Sequence, residues 1–115
     1  MTGYRLTVRH GSRVDRASYA DLAGAIAAME RAVDEVRAEG PLEGVKVLRD
    51  FEPAERVAAR IELSTGGWLR GRDAGVDVMG DGHLVAFAGG MRRRELDASA
   101  DEAAFEAVRR ALRPG

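Results

Sequence analysis

Two histidines, four serines and one run of three arginines are the residues from which this chain would have to draw chemistry. His10 and His83 each stand beside a turn, and Asp81-Gly82-His83 can be drawn as an acid–base pair. Adjacent residues of a hairpin turn point into water more often than into a cleft, so the pair reads as a solvated turn. Metal binding would need both histidines to converge with a carboxylate, which no spacing here implies. Ser12, Ser18, Ser64 and Ser99 lack the strand–elbow–helix context of a nucleophile. Glu52 and Glu55 sit together in a turn, where acids are solubilising. There is no cysteine, hence no thiolate nucleophile and no disulfide.

Phosphate-binding motifs fail at single positions. Gly80-Asp81-Gly82-His83-Leu84-Val85 has Val85 where a dinucleotide fingerprint has its third glycine, and no helix follows. The one lysine, Lys46, has no glycine-rich run before it. A calcium loop beginning at Asp77 would put Met79 and Ala88 where carboxylates are needed. The expectation is no catalytic residue, no metal and no cofactor.

Arg92-Arg93-Arg94, joined by Arg5, Arg9, Arg56 and Arg60, would make a basic sheet edge for a nucleic-acid backbone. Single-strand readers interleave aromatics on that face, whereas Tyr4, Phe51 and Phe87 read as inward. The plainer reading is an edge strand guarded by charge. Trp68, the only tryptophan, lies in a glycine-flanked loop with Arg70 and Arg72; it is either a lid on the core or an anchor for a partner.

The elements that must position these residues follow from periodicity. Tyr4–Arg9 alternates as a half-buried strand, closed by His10-Gly11-Ser12. A helix runs from Ser18 or Asp21 to Glu39, with Leu22, Ile26, Met29, Val33 and Val36 on one face and Gly40-Pro41 as its stop. Val45–Phe51 and Arg56–Ser64 are strands; Val57, Ala59, Ile61 and Leu63 face one way in the second. Asp81-Gly82 joins two more strands, the latter extending past Gly89-Gly90 to Arg94. A last helix starts at Ser99, with Glu102 completing a capping box, and buries Ala104, Phe105, Val108, Ala111 and Leu112. The order β-α-β-β-β-β-α predicts one α+β domain over 1–115, a mostly antiparallel sheet packed by two helices.

With Asp81-Gly82 as a two-residue loop, Val76, Val78, Val85 and Phe87 share one sheet face. The opposite face gathers Leu48, Ala58, Met79, Leu84, Ala86 and Ala88 and is too apolar for plain solvent exposure. Three covers are open: the last helix, a second copy of the chain, or a ligand cleft. These residues and Trp68 are the interface candidates.

Composition narrows the class. At 45% apolar and 32% charged, with net charge −1, the chain is globular, with no overall pull towards polyanions. Charge is unevenly spread: residues 1–20 carry +3 and residues 21–55 carry −5. Seventeen arginines against one lysine, with no Asn or Gln, point to a GC-rich bacterial genome. The N-terminus alternates rather than running apolar, and no segment approaches the ~20 residues of a membrane span. The sequence thus predicts a small soluble cytoplasmic domain, more a protein-interaction or self-association module than an enzyme. A nucleic-acid binder is the alternative, and a ligand pocket under Trp68 a third reading.

Overall fold

A computed structural model describes residues 3–39, 56–65, 72–89, 93–96 and 100–113. The elements run β1 (Tyr4–His10), β2 (Arg13–Tyr19), α1 (Leu22–Glu39), β3 (Val57–Thr65), β4 (Asp73–Met79), β5 (Leu84–Ala88), β6 (Arg94–Glu95) and α2 (Asp101–Leu112). The strands form one antiparallel sheet ordered β2-β1-β3-β4-β5-β6. The α+β class and the antiparallel sheet under two helices are as expected, and the first strand lies inside the sheet, between β2 and β3. The strand read at Val45–Phe51 falls outside the described residues, as does the Ser99 of the expected capping box. No described helix is long and apolar enough to cross a membrane.

β2 is the strand that periodicity does not reveal. Gly11 takes φ +64° while Ser12 stays at negative φ, the pattern of a two-residue type II′ turn. Tyr4–His10 therefore folds straight back, paired without a bulge from His10↔Arg13 to Tyr4↔Tyr19. Ser18 is accordingly a strand residue, not a cap. Asp21 caps α1 instead, its Oδ1 accepting the Gly24 N–H at 2.6 Å.

Both helices pack on one face. Leu6, Leu63, Ala74 and Ala88 make one row across four strands, and Val8, Ile61, Val76 and Ala86 make the next. Ile26, Met29, Val33 and Val36 of α1, with Ala104, Val108 and Leu112 of α2, close over these rows as a single core. α1 lies over β1 and β3, and α2 over β4 and β5. A helix is about 10 Å wide and strands are about 4.8 Å apart, so each helix covers about two strands. Arg37 ties the layers together: it donates to both Asp101 carboxylate oxygens, at 2.7 and 3.1 Å, and to the Gly82 carbonyl. α2 begins behind Ala100 with no side-chain cap.

The β4–β5 register corrects the face assignment. Val78 pairs with Leu84, Val76 with Ala86 and Gly75 with Phe87. The loop is Gly80-Asp81-Gly82, one residue longer than expected, with Met79 N–H donating to the His83 carbonyl and Gly82 at φ +94°. One added residue inverts the parity of β5. Leu84, Ala86 and Ala88 thus enter the core under α2, and Phe87 and Val85 go to the outer face with Asp77. Past Ala88 the chain returns as β6, pairing Ala88↔Arg94, instead of continuing in line. A bulge between Val57 and Ala59 likewise leaves Val57 exposed.

Candidate functional site

Among the described residues, six strands under two helices leave one long strand largely open. β2 is exposed at every residue from Arg13 to Ser18 on both its faces, with only Tyr19 partly buried. Because the II′ turn makes His10–Arg13 a hydrogen-bonded pair, Arg13, Asp15, Ala17 and Tyr19 direct their backbone groups to β1. Val14, Arg16 and Ser18 direct theirs outward, where the sheet ends. The result is a straight pairing edge about 24 Å long.

Between the inner face of β2 and α1 runs a groove of about 170 Å³. Leu6, Val8, Ala28, Ala32 and Val36 line its floor, and Arg13, Asp15, Arg31, Glu35 and Glu39 its rims. Small-molecule sites usually run to several hundred Å³. This volume suits one or two side chains of a protein partner better than a metabolite.

One end of the groove is fixed by charge. Arg13 Nη2 donates to both Glu39 carboxylate oxygens, at 3.1 and 2.9 Å. That fork, helped by His10, holds the Glu39 carboxyl below its ordinary range. His10 Nδ1 is 3.2 Å from Glu39 Oε2; the imidazole is almost fully buried and its Nε2 meets no partner among the described residues. His10 lies in the same cross-strand row as Ala59, Val78 and Leu84, three strand spacings from β5. That is about 14 Å, too far for His10 and His83 to share an ion. Among the described residues no three His, Asp or Glu side chains gather as ligands. His83 instead belongs to its turn, donating its backbone N–H to Asp81 Oδ1 at 3.0 Å and pairing its ring with the same oxygen. These bonds lower the Asp81 carboxyl, the backbone N–H most of all.

The opposite end of the outer face is closed. Phe87 is 1% exposed there, lying across Gly75, where a Cβ would come within 2.9 Å of the ring and 2.2 Å of the Ile61 carbonyl oxygen. The Arg93 guanidinium stacks 3.8 Å from the ring centroid, with Arg60 at 5.7 Å. Asp77, nearly buried, accepts from Arg60 Nε at 2.9 Å and Arg93 Nη2 at 3.1 Å. Burial, reinforced by Asp73, raises the carboxyl of neighbouring Glu62.

The residues singled out in the sequence therefore part company. Leu84, Ala86 and Ala88 are covered by the chain's own α2, Met79 is buried and Ala58 half-buried. Arg60 and Arg93 are held by Asp77. Arg94 points from the opposite side of β6, and Arg56 is half-buried, its carbonyl accepting the Gly80 N–H at 2.8 Å. Arg5 and Arg9 stay exposed on the outer face of β1. Leu48, Trp68 and Arg92 lie outside the described residues. The β2 edge was missed, although Gly11-Ser12 is itself a hairpin signal. No protein-family model, curated protein or solved structure matches this chain.

Proposed function

We propose that the chain is a non-enzymatic interaction module that self-associates through the β2 edge. The observation that carries this reading is a seven-residue edge strand with both faces exposed and an apolar-floored groove beside it. Natural sheets blunt their edges by shortening, bulging or covering them, because an open edge templates pairing with another chain. β2 is neither short nor bulged, and no described strand pairs with its outer edge. Its only edge defence is charge, and the signs are mixed.

Charge also selects a register for two copies. An antiparallel β2–β2 pair keeps the outer face outer in both, so residues of equal parity come opposite. A two-fold at Asp15 or Arg16 sets like charges against each other. A two-fold at Val14 opposes Arg13 and Asp15 but pairs only about three residues of each strand, whereas one at Ala17 pairs about five, setting Asp15 opposite Tyr19 and Arg16 opposite Ser18. The last register is the compatible one, and it extends the sheet to twelve strands with the grooves flanking the seam.

The test is solution mass by light scattering across a dilution series, on the wild type and on Ser18→Pro. The substitution removes an outward N–H and leaves the β1 ladder intact. A dimer that becomes a folded monomer in Ser18→Pro supports the reading. A wild type that stays monomeric at its highest soluble concentration, or a variant that stays dimeric, contradicts it.

A further inference from the structure

We propose that the outer face of the β1–β2 hairpin binds the phosphodiester backbone of a nucleic acid without reading its bases. This goes beyond self-association and stands on one protomer. Register places Arg16 opposite Thr7, and Arg5 and Arg9 two residues to either side of Thr7 on the same face. The two β1 arginines are about 13 Å apart along the strand, and Arg16 lies about 7–8 Å from each on the diagonal.

Unlike Arg60 and Arg93, these three make no ion pair with a described acid. Arg9 is moreover set directly opposite Arg60 across the β1–β3 ladder, an arrangement that costs a fold stability. Arg60 turns to Asp77, and Arg9 has no ion-pair partner among the described acids. Asp15, the only acid of the hairpin, points to the inner face. The nearest outer-face acid, Glu62, lies across Thr7 from Arg16, diagonal to Arg5 and Arg9. Its carboxyl, raised by burial, is drawn down in part by the charge of Arg9 without forming an ion pair with it. A fold that tolerates a like-charged juxtaposition on its open face signals a ligand supplying the missing charge.

The chemistry of that ligand follows from what surrounds the arginines. The hairpin's outer face holds Arg5, Thr7, Arg9, Val14, Arg16 and Ser18, of which only Val14 is a large apolar side chain. An acidic peptide would lack the apolar anchor that such interfaces depend on. A polymer of high linear charge density needs none, since release of its counterions supplies the affinity. Guanidinium forks match phosphate oxygens in pairs. The 13 Å between Arg5 and Arg9 equals about four 3.4 Å rises measured along a duplex axis. Both tyrosines of the hairpin, Tyr4 and Tyr19, face inward, so no stacking platform for bases is presented.

The experiment is a fluorescence-anisotropy titration of a labelled random-sequence duplex with the full chain over a salt series. Three phosphate contacts predict a slope of log K on log salt of about −2.7, which is about 40-fold weaker binding from 50 to 200 mM salt. Two copies on one duplex would double the slope. Each of Arg5→Gln, Arg9→Gln and Arg16→Gln should reduce it by about 1 per chain, and the triple variant should abolish binding. Arg109→Gln with Arg110→Gln, on α2 across the sheet, should change neither. Circular dichroism of the triple variant checks that its fold is intact, and the single variants carry the test if it is not. The proposal is overturned by no binding at low salt, by a slope the hairpin variants leave unchanged, or by equal competition from polyglutamate.

Discussion

At one edge of the sheet β6 is two residues long and backed by Phe87, Arg93 and Asp77; at the other β2 is seven residues long, exposed from Arg13 to Ser18 and joined to α1 across an open groove. Both edges carry arginines, yet those arginines differ in use. Near β6 they are consumed within the fold, stacked on a ring and neutralised by a nearly buried carboxylate. On the hairpin, Arg13 is clasped by Glu39 while Arg5, Arg9 and Arg16 are left to solvent. Counting arginines along the sequence does not separate the two groups. What distinguishes the paired arginines from the solvent-facing ones here is whether the fold brings Asp77 or another acid beside them.

The comparison is most sharply broken by substitutions at the closed end. Phe87→Ala should lower unfolding free energy in urea by about 3–5 kcal/mol, since it empties a buried aromatic site and frees Asp77's partners. Gly75→Ala should cost about 1–3 kcal/mol or more, because its Cβ has no room against the Ile61 carbonyl and cannot be relieved by a side chain moving alone. At the open end, Val14→Ala should change the stability of the dilute protein by no more than about 0.5 kcal/mol. A loss at Val14 equal to that at Phe87 would erase the difference between the edges.

Acid titration gives the smallest effects, and their signs oppose. Glu62 has a raised pKa, so the folded state takes up its proton first and gains stability as pH falls through that value. Asp101 has a lowered pKa through its hydrogen bonds with Arg37, so its contribution is present above the ordinary aspartate range and is lost as pH falls through the folded value. Stability should therefore pass through a maximum on the acid side of neutrality. Glu62→Gln should raise the melting temperature at pH 7, with the gap closing as pH falls towards about 4. A Glu62→Gln melting curve indistinguishable from wild type at pH 7 would remove Glu62 from that account.

The sequence disclosed what a repeating apolar pattern can disclose. The α1 face of Ile26, Met29, Val33 and Val36 and the β3 face of Ala59, Ile61 and Leu63 are buried as read. Two features escaped for separate reasons. β2 has no buried face, so Arg13–Tyr19 carries no alternation, and only the Gly11-Ser12 pair announces it. The Asp81-Gly82 signal located the second hairpin correctly, but a loop one residue longer exchanged the faces of Leu84, Ala86 and Phe87. The candidate site was legible only in part: Arg5 and Arg9 were singled out, but Arg16 joins them only once β2 is paired. A face assignment built on a turn is no firmer than the length of that turn.

The most direct measurement is amide hydrogen exchange at Val14, Arg16 and Ser18, followed by NMR across protein concentration. These three N–H groups point away from β1 and have no acceptor among the described strands. The account predicts fast exchange in the dilute protein and protection that grows with concentration, centred on the register about Ala17. Exchange that stays fast while the mass doubles would place the contact elsewhere and contradict the β2 edge as the site of association.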